Sequence, residues 1–292
     1  MTASAQFRSG KGTSNENFPV ASWLIAARHR PAILAFYNFV RTADDIADHP
    51  GMGPDEKLNR LDRLEQSLIG SSDIEPEGVI LREALERRGV TTRHAQDLLR
   101  AFRQDVTKSR YASWDELIDY CAYSAMPVGR FVLDVHGESR DTWPASDALC
   151  AALQIINHLQ DCAEDYKNID RVYLPLDALS ERGVTVDALS EPRASPALRG
   201  VLHALAARTA QLVDRGRSLP VGIADTRLAL EIAVIQRLAA RLLVLLQSRD
   251  PLSEQVHFGK VEKLSIATNA ITRTLVRRFL GASPQAQRYQ TP

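Results

Sequence analysis

Apolar residues recur at steps of three and four through most of this 292-residue chain. That is the period of helices that bury one face. The spacing predicts helices near 17–27, 31–49, 54–69, 75–88, 92–108, 113–136, 145–168, 195–217, 223–247 and 260–280. Alternating β-branched runs bounded by turn dipeptides, the mark of strands, do not occur. Punctuation supports this reading. Pro31 stands where a first-turn proline loses nothing, Ser113 and Glu116 have capping-box spacing, and Gly89, Gly137 and Gly183 are placed to stop helices. Pro127 falls inside the predicted 113–136 helix, where it removes a backbone bond and should kink it. Residues 1–16 and 283–292 are polar and read as mobile tails. The Pro-rich stretch at 191–196 is too short to divide the chain, and no fixed-period repeat occurs. The expectation is one all-α domain over residues 17–282.

Composition narrows the function. Lys and Arg total 36 against 36 Asp and Glu, so a general nucleic-acid binder, which needs a basic excess, is not expected. Cys121, Cys150 and Cys162 include no C-x-x-C pair, which points to a reducing compartment without a thiolate metal site. No run is long and apolar enough for a membrane span, and Met1–Gly12 lacks the apolar core of a secretory signal. A cytoplasmic protein is therefore expected.

Two polar stripes carry the chemistry. In the 31–49 segment, Tyr37, Arg41, Asp44 and Asp48 share one face of a helix that is otherwise strongly apolar (Ile33, Leu34, Phe36, Phe39, Val40, Ile46). Asp44, Asp45 and Asp48 repel one another and are poor helix formers, so a cation or a positive partner should offset them. In the 145–168 segment, Gln154, Asn157, His158, Asp161 and Asp165 share a face opposite Leu153, Ile155, Ile156, Leu159 and Cys162. Either stripe alone reads as a solvated face. Together they offer carboxylates and an amide, a donor set that suits a hard ion such as Mg²⁺ holding a diphosphate. A Ca²⁺ or purely structural ion site fits the same residues. His158 reads as a hydrogen-bonding neighbour rather than a ligand.

These motifs resemble the squalene/phytoene synthase family, the head-to-head trans-isoprenyl diphosphate synthases. The matching segments are Asp44-Asp45-Ile46-Ala47-Asp48, then Tyr120 to Ala125 with Val128-Gly129, and Gln154 through Asn157, Asp161 and Asp165 to Arg171-Val172-Tyr173-Leu174-Pro175. They span roughly residues 18–280. The resemblance implies an all-α terpenoid-synthase fold around a central cavity, with Mg²⁺ on Asp44, Asp48, Asn157, Asp161 and Asp165. It implies diphosphate contacts from Arg41 and Arg171. Phe18, Tyr37, Tyr120, Ser124, Val128, Gly129, Gln154 and Tyr173 are implied on the substrate side, with Tyr37 best placed to face a carbocation. Plainer readings stand beside these: core for Phe18 and Val128, a helix C-terminal cation for Arg171, and a close helix contact for Gly129.

The departures narrow the resemblance. Gln160 stands where phytoene-type members usually carry Arg, Cys162 replaces an aliphatic or aromatic residue, and Met126-Pro127 replaces small or aliphatic ones. Losing a cation before Asp161 suggests a smaller diphosphate load. The segments 16–22, 127–133 and 157–162 look like the bacterial hydroxysqualene synthases of hopanoid biosynthesis. That subgroup ionises presqualene diphosphate and captures the cation with water, and a separate flavoprotein reduces the alcohol. The implied neighbours are therefore a presqualene diphosphate synthase and a flavin-dependent reductase. A peripheral membrane contact is compatible with so insoluble a product. The alternatives are another head-to-head synthase using farnesyl or geranylgeranyl diphosphate, and a non-catalytic helical scaffold, which the standing aspartates disfavour.

Overall fold

A computed structural model of the chain describes residues 24–281. Phe18, the tails and most of the predicted 17–27 helix lie outside that range. Its described part, residues 24–27, forms turns rather than helix, and α1 starts at Arg30. In chain order the described helices are α1 (Arg30–Ala47), α2 (Pro54–Leu68), α3 (Pro76–Glu86), α4 (Arg93–Thr107), α5 (Trp114–Ser124), α6 (Met126–His136), α7 (Trp143–Gln160), α8 (Cys162–Ile169), α9 (Leu176–Ser180), α10 (Pro196–Arg215), α11 (Leu219–Gly222), α12 (Thr226–Ser248) and α13 (Lys260–Gly281). No strand occurs among the described residues beyond one isolated bridge between Arg110 and Val172.

Two predicted helices are each divided. The 113–136 segment breaks at Ala125, and Pro127 lies in the first turn of α6. A missing N–H is harmless there, so the proline starts a new helix instead of kinking one. The 145–168 segment is interrupted at Asp161 (φ −101°, ψ 8°). The Asp161 N–H still donates to the Asn157 carbonyl at 2.9 Å and the Asp165 N–H to the Asp161 carbonyl at 2.8 Å, so the stripe survives the break. The predicted start at Ser113 is formed, with its Oγ accepting from the Glu116 N–H at 3.3 Å. Glu116 does not complete the box; its carboxylate bonds Lys108 and the Ala112 N–H.

Two apolar cores flank the stripes. Phe36 and Phe39 of α1 pack with Leu61, Leu64, Leu98 and Phe131, and the Phe36 and Phe131 rings stack at 3.8 Å. Ile155, Ile156 and Leu159 of α7 pack with Leu198, Leu202, Leu238 and Leu242 of α10 and α12. Burying these faces on both sides leaves the polar faces of α1 and α7–α8 directed at each other.

The connection after α8 completes the arrangement. Asp170 adopts a left-handed conformation (φ 49°, ψ 41°), one that Asp tolerates better than most residues. The chain reverses there, the Arg171 N–H bonds the Asp165 carbonyl at 3.1 Å, and the Arg110 guanidinium holds Asp170.

Candidate active site

Arg41 Nη1 lies 2.7 Å from Asp44 Oδ2, and Nη2 lies 3.3 Å from Asp45 Oδ1. The arginine thus neutralises part of its own acidic stripe, and Asp45, off the stripe by periodicity, is drawn in. Asp48 caps the C-terminus of α1 and pairs with Arg171 Nη1 at 3.0 Å. Arg171 is buried; it also donates to the Tyr173 hydroxyl at 3.3 Å and to the Asp105 carbonyl at 3.1 Å. One guanidinium therefore ties the end of α1 to α4 and to the segment after α8. It does not act as a helix-terminal cation.

On the second stripe, Gln154 Nε2 donates to His158 Nε2 at 3.1 Å, which places the imidazole proton on Nδ1. That nitrogen stands 4.0 Å from Asp165 Oδ2. Burial, with Arg171 nearby, depresses the His158 pKa to about 3, so the ring is neutral. It stacks on Tyr173 with ring centres 3.4 Å apart. His158 is a neighbour of the acids, as its sequence context suggested.

Asp105 was not singled out from the sequence. Its Oδ2 accepts from the Tyr120 hydroxyl at 2.9 Å, while its Oδ1 is buried without a partner. The available signal was an acid at the i+7 position of the buried row Leu98 and Ala101 on α4. Tyr111, Tyr120 and Tyr173 pack around it with ring centres 5.1–5.5 Å apart, and Tyr120 and Tyr173 are themselves buried. These two tyrosines turn their hydroxyl ends toward Asp105.

The electrostatics join the stripes. Burial first, and Asp48 second, raise the Asp44 carboxyl to about 6. Burial first, then Asp161, raise Asp165 to about 7, with Asp48 of the opposite stripe adding to the rise. Burial raises Asp105 to about 7 against the pull of Arg171. Burial opposes the charge of Arg171, yet Tyr173, Asp105 and Asp48 hold its pKa above the usual value. More carboxylates converge here than the two arginines offset, and a divalent cation would relieve the excess. Asp44 and Asp48 on one stripe, and Asn157, Asp161 and Asp165 on the other, offer only oxygen donors, the kind that suits a hard ion.

A nitrogen-bearing cluster, His29, His136 and Asp225, lies elsewhere, at the far end of α1. Its imidazoles stack face to face at 4.1 Å, and Arg28 donates to His29 Nε2. One ligand atom from each of the three lies within 4.8 Å of the other two, so this group is a possible ion site apart from the acidic stripes.

The remaining candidates lie between α5, α6 and α7. Ser124 Oγ is buried without a partner, and Val128 is partly exposed. Gly129 faces Ser146 Oγ and Cys150 Sγ so closely that a Cβ would force those side chains to move, so its place is a helix contact with α7. Gln160 is buried and turns away from the acids to donate to the Val256 carbonyl. Tyr37 is half-buried on α1.

Residues 12–262 match the family described as squalene/phytoene synthase. The chain belongs to that family. Among curated relatives of this squalene/phytoene synthase chain, the hydroxysqualene synthase of Rhodopseudomonas palustris is 57% identical over 97% of both chains. That of Sinorhizobium fredii is 52% identical over 96% of both. A solved squalene synthase from Alicyclobacillus acidocaldarius superposes with a TM-score of 0.72 at 30% identity, covering 84% of this chain and 91% of that one. A dehydrosqualene synthase structure superposes with a TM-score of 0.78 at 19% identity, a likeness of fold alone. The all-α terpenoid-synthase architecture expected from the sequence is the observed one. Among the described residues no helix is long and apolar enough to cross a membrane.

Proposed function

We propose that the protein converts presqualene diphosphate to hydroxysqualene. The observation that carries this reading is half or more identity, over nearly the whole length, to relatives named hydroxysqualene synthase. Arg171, which pairs with Asp48 of the first stripe and acts electrostatically on Asp165 of the second, supports it. Asp44, Asp48, Asn157, Asp161 and Asp165 would hold Mg²⁺, which supplies electrostatic stabilisation of the diphosphate as a leaving group.

The chain's own residues do the rest. Arg41 and Arg171 exchange part of their carboxylate pairing for diphosphate oxygens, which bind the planar guanidinium in the same bidentate manner. The carbon–oxygen bond breaks and the diphosphate leaves with its electron pair. The cyclopropylcarbinyl cation rearranges beside Tyr37, the aromatic on the Asp44/Asp48 face, whose ring stabilises positive charge. Water forms the new carbon–oxygen bond and releases a proton. Tyr120, Tyr173 and His158 are packed too tightly to line open space, so their part is to hold Asp105 and Arg171 in place. Ser124, Val128, Gly129 and Gln154 shape the α5–α7 wall, with Gly129 setting the closeness of α6 and α7. Phe18 belongs to the same substrate surface by resemblance. The reaction sits after a presqualene diphosphate-forming enzyme and before a reductase of the alcohol.

The test supplies purified protein and Mg²⁺ with presqualene diphosphate or farnesyl diphosphate in separate tubes, without nicotinamide. Hydroxysqualene from the first tube alone is expected. Coupled products from farnesyl diphosphate would instead assign the chain to the other head-to-head synthases, and inert protein in both tubes would make it a scaffold.

A further inference from the structure

The chain is neutral as a whole, but its charge is not evenly spread. From Thr226 to Gly281, the span of α12 and α13, it has nine basic residues against four acidic ones. Glu231 among those acids is buried, and Asp250 is turned inward to accept from the Ala194 and Leu252 N–H groups.

The basic side chains are ordered. On α12, Arg237 and Arg241 are one turn apart, and Val244 follows on the same side, 52% exposed. On α13, Arg273 and Arg277 are one turn apart, beside Val276 and Leu280, which are 48% and 72% exposed. Between the helices runs a groove of about 840 Å³, floored by Val213, Ile223 and Leu243 and edged by Val221, which is 77% exposed. Arg237, Arg273 and Arg277 line the groove and form no ion pair among the described residues. The acids at this face are Asp214, 3.4 Å from Arg217, and Glu262, 3.9 Å from Arg241. Arg278 is committed to the fold through Thr226 Oγ1 and the Pro220 and Ile223 carbonyls. Aliphatic side chains interleaved with unpaired arginines on one exposed face suit an interfacial layer of anionic headgroups over acyl chains. They suit a protein partner less well, since it would have to bury these cations.

We propose that the α12–α13 face docks the protein on an anionic lipid bilayer, with Arg237, Arg273 and Arg277 at the headgroups and Val221, Val244, Val276 and Leu280 dipping among them. The docking is peripheral, since no described helix can span a membrane. Its purpose rests on the proposed reaction, whose substrate and product are water-insoluble isoprenoids; its chemistry does not.

The test is sedimentation of the full-length protein with sucrose-loaded vesicles of phosphatidylcholine, with and without phosphatidylglycerol. Binding is expected only with phosphatidylglycerol and should weaken with added salt. Each basic residue near such a surface strengthens binding about fivefold, so Arg273→Glu/Arg277→Glu should weaken it at least about twenty-five-fold. Val276→Ser/Leu280→Ser should weaken it to a smaller degree at every salt concentration. Both variants should keep wild-type turnover of detergent-dispersed presqualene diphosphate, so failure of docking and failure of the reaction are read separately. No binding to phosphatidylglycerol, or binding that ignores the charge reversal, overturns the proposal. So does a dimer, seen by light scattering, that the variants abolish, because the face would then belong to a second copy.

Discussion

Asp165 gives the sharpest test of the candidate site, because its environment sets stability and chemistry against each other. Burial, followed by Asp161, lifts its carboxyl from 3.8 to about 7. Each pKa unit corresponds to about 1.4 kcal/mol, so the full shift would be about 4 kcal/mol. The side chain keeps 24% of its surface in water, and screening there reduces the figure to about 2 kcal/mol. The sign follows from linkage. Below pH 3.8 the group is neutral in folded and unfolded chains and contributes nothing. Between 3.8 and about 7 the folded chain retains a proton that the unfolded chain has lost, so stability falls as pH rises. Above about 7 the whole penalty is present. Asp165→Asn keeps the shape without the charge, so in EDTA at pH 8 it should raise stability by about 2 kcal/mol, or Tm by about 4 °C. That gain should shrink toward zero near pH 4. Adding Mg²⁺ and inorganic diphosphate should reverse the order, since ligands that bind the folded wild type raise its Tm and the variant has lost a ligand oxygen. Melts by calorimetry over this pH range decide the matter. An Asn variant that melts below wild type in EDTA at pH 8 would refute the reasoning and make Asp165 a structural partner of His158.

Other outcomes follow from the same geometry. Asp44→Asn and Asp161→Asn should each lower Mg²⁺-dependent turnover at least about a hundredfold with the fold intact by circular dichroism. Activity should fall as pH drops from about 7 to 6, where protons occupy Asp165 and Asp44, and raising Mg²⁺ in the assay should move that limb to lower pH. Arg171→Ala removes the cation from Asp48 and Asp105; urea denaturation should show a loss of about 3 kcal/mol, with Arg171→Lys restoring only part because it cannot span the same partners. Gly129→Ala drives a methyl into Ser146 and Cys150 and should cost about 2 kcal/mol by the same measurement, with Cys150→Ala giving part of it back.

The sequence by itself determined the helical class, because burying an apolar row every three or four residues fixes the period wherever the chain packs. It determined the two acidic stripes for the same reason: Asp44 and Asp48, and Asn157, Asp161 and Asp165, share faces through local geometry alone. It also placed the stops at Gly89, Gly137 and Gly183, all of which adopt positive φ. Tertiary structure decided what the stripes meet. Arg171 reaches Asp48 because the chain reverses at Asp170, which no periodicity encodes. Asp105 joins the site through a side chain from a third helix, and Tyr120 and Tyr173 are consumed in holding it. Gln160 points away from the acids to the Val256 carbonyl, although it adjoins Asp161 in sequence. Pro127 opens a helix because its neighbours place it in a first turn. Short-range geometry says which residues share a face, and only the packing of distant segments says what that face encounters.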